Sequence, residues 1–436
     1  MAVSAPALHD ALTDIAGREH VLRDASARAP YAVDGVVPGV VIRPESAEQV
    51  SRVLALCAAE RLALVPRGAG TSQGLGNPPR RLDLVLELSR LRAVREYVPE
   101  DMVATVEAGV TLDVLAAHLA PHRQMLALDP PGGGARSVGG VLATHASGPL
   151  RFRYGTGRDL LLGARFVQAD GTLTWGGAKV VKSVTGYDVP KLLVGSLGTL
   201  GVLVEATVRL HPVPPASRSW QLGFPSPDAA AGFLAALLDS PIQPDRATLL
   251  DATALRRLGL NVDPLAVLLS ISSVAEAVDA QGQALERLAA GHRGRSAPLA
   301  ESVWPGLELA VSEPILLRAA GEPRRLLHWT SQAHAAARLA GVELAILAQP
   351  GHGVLHASVA SGQDPARIGR DLVLPLRRAL GAEGGSLVIE RGPVELKSQC
   401  EVWGDISPEI LAITRRIKRE FDPYGLLSPG RFVGGL

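Results

Sequence analysis

Pro66-Arg67-Gly68-Ala69-Gly70-Thr71-Ser72 is the stretch on which the fold turns. Glycines at 68 and 70 let successive backbone N–H groups converge on an anion, and Thr71 and Ser72 add hydroxyl donors. From the loop alone two readings stay open: a surface turn, the ordinary fate of a glycine-rich segment, and a pyrophosphate cradle. The flanks narrow the choice. Upstream, Ser46 and Gln49 have capping-box spacing and Val50, Val53, Leu54 and Cys57 share one helical face, which predicts a helix after Pro44 and then a strand over Leu62–Val65. Downstream, Pro78 and Pro79 lead into a second apolar run, Leu82–Leu88, read as a strand. A dinucleotide fingerprint needs its glycines between a strand and a helix N-terminus, and here Gln73 stands in place of a third glycine. The closing Gly-Lys-Ser/Thr of a nucleotide-triphosphate loop is missing as well.

Further along, side chains are pared away in three more places. Ser137-Val138-Gly139-Gly140 runs into Ala143-Thr144-His145-Ala146-Ser147-Gly148, and Tyr154-Gly155 and Arg158-Asp159 follow. Gly186-Tyr187-Asp188, with Lys191 and Leu192, precedes Gly195-Ser196-Leu197-Gly198-Thr199-Leu200-Gly201-Val202. Small residues at these points would let a flat ring and its chain lie against the backbone, so the set reads as one bound cofactor. Around it, Leu112–Leu119 is predicted helical, Asp170-Gly171 marks a hairpin, and Val202, Val204 and Ala206 alternate on one face of a central strand. The texture changes at Pro212, Pro214 and Pro215, where we place a domain boundary. A last helix begins at Ser407-Pro408, carries Ile410, Ile413, Ile417 and Phe421, and stops before Asp422-Pro423.

The 436-residue chain has room for two or three domains. With 44 Lys plus Arg against 43 Asp plus Glu, no charge excess attracts nucleic acid or an anionic bilayer. Its two cysteines, Cys57 and Cys400, make neither a zinc ribbon nor an iron–sulfur site nor a disulfide framework, which points to an intracellular protein. Met1–Ala16 lacks the pattern of a signal peptide. The longest stretch without acidic or basic residues, Leu344–Gln363, carries Pro350, Gly351 and Gly353 and makes a poor membrane span.

The ordered set of glycine-rich segments resembles the FAD-binding domain of the vanillyl-alcohol-oxidase (PCMH-type) superfamily over residues 37–213. More closely, Val181–Asp188, Gly195–Gly201 and, beyond that domain, the tail Trp403-Gly404 through Pro429-Gly430-Arg431-Phe432 resemble the FAD-binding subunits of bacterial glycolate oxidases. The resemblance implies an α+β fold: an N-terminal segment 1–36, a flavin domain of two subdomains over 37–213, and a C-terminal domain of antiparallel sheet and helices over 214–436. It also implies that Pro66, Arg67, Gly68, Ala69, Gly70, Thr71 and Ser72 hold the pyrophosphate. Ser137, Val138, Gly139, Gly140, Thr144, Ser147, Gly148 and Tyr154 would line the flavin and its chain, and Gly198, Gly201, Val202 and Val204 an edge of the cofactor. Covalent attachment in the superfamily generally uses a histidine in the glycine loop; Thr71 stands there, so FAD is expected to be non-covalent.

Relatives carry a His-x-Gly-Asp-Gly-Asn-Leu-His stretch that resembles a metal site. Gln349-Pro350-Gly351-His352-Gly353-Val354-Leu355-His356 looks like it with an imidazole, a carboxylate and an asparagine exchanged, so no metal is expected. Oxidation of a 2-hydroxy acid needs a cation for the carboxylate and a base for the hydroxyl proton. Arg391 and Arg431 are candidates for the first, with a surface salt bridge as the plain alternative, and His352 and His356 for the second. The resemblance further implies a complex with a catalytic FAD-containing paralogue and an iron–sulfur subunit. It implies a cytoplasmic protein that reaches the inner face of the membrane, if at all, through those partners. A self-sufficient 2-hydroxy-acid dehydrogenase and a non-catalytic relay subunit are the rival readings.

Overall fold

A computed structural model describes residues 5–179, 186–360 and 362–436. The Val181–Thr185 part of the Val181–Asp188 stretch lies outside the described residues. The chain divides into two compact units, one formed by Met1–Ala146, Thr156–Pro212 and Asp405–Leu436, the other by Ser147–Gly155 and Val213–Gly404.

The first unit holds two sheets, each with its own core. Strands Val40–Ile42, Leu84–Glu87 and Leu64–Arg67 run parallel, with Val21–Leu22 antiparallel on the outer edge. Parallel strands need a crossover, and helix Ala47–Glu60 carries the chain from Val40–Ile42 to Leu64–Arg67 on the far side of Leu84–Glu87. Ser46 Oγ accepts from the N–H of Gln49 at 3.2 Å, and Val50, Val53, Leu54 and Cys57 turn into the core beside Leu64, Leu84 and Leu86. The second sheet is antiparallel, in the order Val94–Val98, Val103–Glu107, Val202–Arg209, Leu161–Val167, Leu173–Gly177. Its centre is the expected strand from Val202, and its last two strands flank Asp170-Gly171. Helices Leu112–Leu119 and Val138–Thr144 cover it with Leu115, Leu119, Val138 and Leu142.

The sequence reading carried its last domain to the C-terminus, whereas the segment from Asp405 joins the first unit. Helix Pro408–Phe421 lays Ile417 and Phe421 against the second core. At its end Lys418 Nζ, buried, donates to the carbonyls of Thr199 and Leu427 at 2.8 and 2.9 Å and to Asp422 at 2.6 Å. Leu426–Ser428 then runs beside strand Leu64–Arg67: the Leu64 N–H donates to the Leu426 carbonyl and the Ser428 N–H to that of Leu64. A buried ammonium is costly unless paired and hydrogen-bonded; Asp422 is a neighbour one helical turn on, whereas the Thr199 carbonyl is brought to it by the fold.

The second unit is one eight-stranded antiparallel sheet in the order Arg295–Leu299, Ala216–Phe224, Leu265–Ser273, Arg246–Asp251, Leu344–Gln349, Val354–Val359, Ile315–Ala320, Ser386–Arg391. Helices Pro227–Leu238, Ala275–Gly291, Leu326–Ala340 and Leu374–Gly381 pack over its larger core. The segment Glu301–Val311 covers a smaller cluster with Trp304 and Leu307. The charge-free run from Leu344 is thus a hairpin in the middle of the sheet, buried on both faces: Leu344, Ile346 and Ala348 join the larger core, Ala345 and Leu347 the smaller cluster. Among the described residues no helix is long and apolar enough to cross a membrane.

Candidate functional site

Strand Leu64–Arg67 delivers the glycine loop to the N-terminus of helix Val138–Thr144, and Ser137 ties the two together. Its Oγ accepts from the N–H of Gly140 and from that of Ala69, each at 3.3 Å. The approach tolerates no side chain at Gly68, where a Cβ would lie 2.0 Å from Ser137 Oγ. On the other flank the turn Gly195–Gly201 closes in: Gly198 has φ +70°, and a Cβ there would sit 2.3 Å from Pro66 Cγ. The N–H groups of Gly68, Gly70, Thr71 and Ser72 have no acceptor among the described residues. These walls enclose about 790 Å³, open mouth included.

Three arginines frame this cavity. Arg136, buried, donates to Ser72 Oγ, to Thr144 Oγ1 at 3.5 Å and to the Pro131 carbonyl at 2.7 Å, so it braces the loop against the helix. Sequence reasoning missed it, although it stands one residue before the Ser137 motif. Arg67 lies over the Tyr31 ring at 4.6 Å and donates to the Pro30 carbonyl at 2.8 Å. Arg431 is 3% exposed; its Nη2 donates to the carbonyls of Gln73 and Leu75 at 2.6 and 2.5 Å, and Nη1 lies 3.9 Å from Asp34. Burial, opposed by Asp34, pushes its pKa down to about 10. The Arg431 guanidinium, a candidate carboxylate clamp by sequence, ties the C-terminal tail to the loop.

Of the other residues singled out, Pro66–Ser72, Ser137, Gly139, Gly140, Thr144, Gly198, Gly201 and Val202 all line the cavity. Val138 and Val204 do not; both are core side chains beneath the wall. Ser147, Gly148 and Tyr154 belong to the second unit. His145, adjacent in sequence to the flavin motif, bonds through Nε2 to Thr156 Oγ1 at 3.0 Å, and that hydroxyl donates to Asp159 at 2.9 Å.

In the second unit His356 lies directly opposite Arg318 on one side and Leu347 on the other, so all three share a sheet face. Glu390, at a register shift in the edge strand, meets His356 Nε2 at 3.2 Å. Burial alone would raise the Glu390 carboxyl, but His356, Arg318 and Arg391 outweigh it and hold it at about 2. Arg391 donates from Nε and Nη2 to the Glu313 carbonyl at 3.1 and 2.7 Å and from Nη2 to that of Val311 at 2.9 Å. His352 packs edge-on to Phe152, ring centres 6.1 Å apart.

Residues 38–177 match the FAD binding domain family and residues 319–432 the C-terminal domain of FAD linked oxidases. A D-2-hydroxyglutarate dehydrogenase of Xanthomonas citri is 30% identical over 96% of this chain and 93% of its own length. The chain belongs to the FAD-linked oxidases of the vanillyl-alcohol-oxidase superfamily. Glycolate oxidase subunit GlcD of Bacillus subtilis is 27% identical, covering 96% of this chain and 95% of that one. A D-lactate dehydrogenase of Archaeoglobus fulgidus is 28% identical over 93% of each. Substrate-bound p-cresol methylhydroxylase superposes with a TM-score of 0.80 at 16% identity over 98% of this chain and 97% of its own, which establishes the shared fold.

FAD is the cofactor of this FAD-linked oxidase, and the cradle fits it: unanswered amides, hydroxyls and nearby guanidiniums suit a pyrophosphate, and bare backbone suits a flat ring. The metal suggested by the family's histidine motif fits poorly. Gln349 offers a carboxamide in place of an imidazole, and Arg318 sets a cation opposite the remaining histidine. No group of three or more His, Cys, Asp or Glu side chains among the described residues is disposed to hold an ion.

Proposed function

We propose that this chain oxidises a small 2-hydroxy acid as the flavin-bearing subunit of a glycolate-oxidising complex. The observation that carries the reading is similarity along nearly the whole chain to a glycolate oxidase subunit. When bound, the oxidised flavin supplies a two-electron acceptor for the hydride on substrate C2. The chain's own contribution is to hold and enclose it. The amides of Gly68, Gly70, Thr71 and Ser72 and Arg136 bind the pyrophosphate, Ser137–Gly140 and Thr144 line the ribityl chain, and Gly198–Val202 abut the ring system. FAD sits there without a covalent bond, since Thr71 occupies the place of an attachment histidine.

Onward electron flow supports the partner assignment. Both cysteines are buried and far apart in sequence, which leaves no thiolate set for a cluster, so electrons bound for a quinone chain must cross to an iron–sulfur subunit beside a paralogous flavoprotein. The same reading assigns the protein to the cytoplasm, at the membrane only through such partners. The D-lactate dehydrogenase similarity supports a rival, a self-sufficient enzyme. Anaerobic mixing of the FAD-loaded chain with glycolate and with D-lactate, followed by turnover with an artificial acceptor, separates them. Flavin bleaching by glycolate supports the proposal; bleaching by D-lactate alone favours the rival, and bleaching by neither leaves a relay subunit.

A further inference from the structure

Two non-glycine residues beside the cradle hold left-handed backbone angles, and a hydrogen bond joins them. Leu197, in the turn Gly195–Gly201, has φ +53°, and Ser428, in the C-terminal tail, has φ +47°. Residues with a side chain rarely adopt such angles, and they persist only where surrounding contacts hold them. Here Ser428 Oγ donates to the Leu197 carbonyl at 3.1 Å, across 231 residues of sequence. The tail then crosses to the glycine loop. The Arg80 N–H donates to the Pro429 carbonyl at 3.0 Å and the Asn77 N–H to the Arg431 carbonyl at 3.1 Å, while the Arg431 side chain lines the cavity and binds the carbonyls of Gln73 and Leu75. The two walls that the tail joins also meet directly. A Cβ at Gly76 would lie 3.2 Å from Leu197 Cδ1, and one at Gly198 2.3 Å from Pro66 Cγ.

We propose that the tail segment Ser428–Phe432 is a strap that must lift from loop Gln73–Arg80 before FAD enters or leaves the cradle. A dinucleotide is long, and its pyrophosphate reaches the loop amides between walls that touch beside them. Parting those walls stretches the bonds of the strap, because the strap spans both. The strained pair gives the opening a defined place: when Ser428 leaves Leu197, both backbones relax, which offsets part of the hydrogen bonding lost. Upstream the tail stays rooted through Lys418 and through the pairing of Leu426 with Leu64. Strap closure and FAD binding then favour each other by the same factor, as linkage requires. The inference concerns the cofactor alone and stands whichever substrate the chain oxidises.

The test pins the strap to the loop in the full-length protein. In Arg80→Cys combined with Gly430→Cys, a Cβ at 430 would lie 3.3 Å from the Arg80 Cβ, close to the roughly 3.5–4.5 Å spanned by a disulfide. Both native cysteines are buried, so oxidation is directed to the new pair. Oxidised while free of FAD, this variant is expected to take FAD up at least about tenfold more slowly than when reduced, a barrier increment of about 1.4 kcal/mol. Loaded first and then oxidised, it should release FAD more slowly by a similar ratio. Ser428→Ala should release FAD about fivefold faster than wild type, the ratio set by one lost hydrogen bond. Hydrogen exchange on the wild type needs no substitution: the Asn77 and Arg80 amides should exchange at least about tenfold more slowly with FAD bound than without it. Equal uptake by the oxidised and reduced forms, an unchanged release rate in Ser428→Ala, or equal exchange with and without FAD would overturn the strap. If the double variant does not fold, exchange on the wild type decides alone.

Discussion

Replacing Gly68 with alanine adds a single carbon at the tightest contact of the cradle. The new Cβ would lie 2.0 Å from Ser137 Oγ, against the 3.4 Å at which ordinary contact begins, so the oxygen must retreat by roughly 1.4 Å. Its cheapest escape is rotation about the Cα–Cβ bond, which abandons the N–H groups of Gly140 and Ala69. Loss of a helix cap costs about 1 kcal/mol and loss of the second bond a similar amount, about 2 kcal/mol together. If this falls on the cofactor-binding conformation, FAD affinity drops about thirtyfold; if it falls on the fold, the first unit melts roughly 4–8 °C lower. The control sits in the same loop: a methyl added at Gly74 would meet nothing within 4 Å and the backbone there has no positive φ, so Gly74→Ala should stay within about 0.5 kcal/mol of wild type. Fluorescence titration of apoprotein with FAD and thermal melts of both variants decide it. A Gly68→Ala protein that binds FAD within about threefold of wild type, roughly the scatter of such contacts, and melts with it would refute the account of the cradle.

Gly70→Val should abolish FAD retention where Arg293→Ala does not, because φ is +78° and the new Cβ would lie 2.5 Å from Arg67 Nη2; equal flavin content in the two would contradict it. Acid precipitation should release all the FAD intact, and flavin left on a tryptic peptide would show a covalent bond. Arg431→Ala strands the carbonyls of Gln73 and Leu75 and should cost about 2–4 kcal/mol in denaturant unfolding together with FAD retention; an unchanged midpoint would free Arg431 from its role as brace. Glu390 is held at about 2, below the ordinary carboxylate value, so its contribution is complete above pH of about 4.5 and lost as pH falls toward 2. Glu390→Gln should therefore lose stability less steeply than wild type across that acid window, and parallel acid-unfolding curves would show that the carboxylate is not held down.

The sequence determined the local elements and the cradle's chemistry by itself. The cap at Ser46, the apolar face from Val50 to Cys57, the Asp170-Gly171 hairpin and Pro408 at the start of the last helix are short-range devices, and each acts within a few residues of its own position. The glycines of Arg67–Ser72 and Ser137–Gly140 were legible because close backbone approach leaves its mark in composition. Long-range pairing left no such mark. Only the tertiary structure showed that the tail from Asp405 returns to the first unit, because the carbonyl of Thr199 that receives Lys418 is supplied by a turn more than two hundred residues earlier. The sequence left Arg431 and Arg391 between a carboxylate clamp and a salt bridge, because a guanidinium's backbone-carbonyl acceptors are groups every residue has and no sequence distinguishes. Arg318 was passed over for the converse reason: its place opposite His356 is a matter of strand register between Ile315–Ala320 and Val354–Val359, set by the pairing of whole strands and not by any motif.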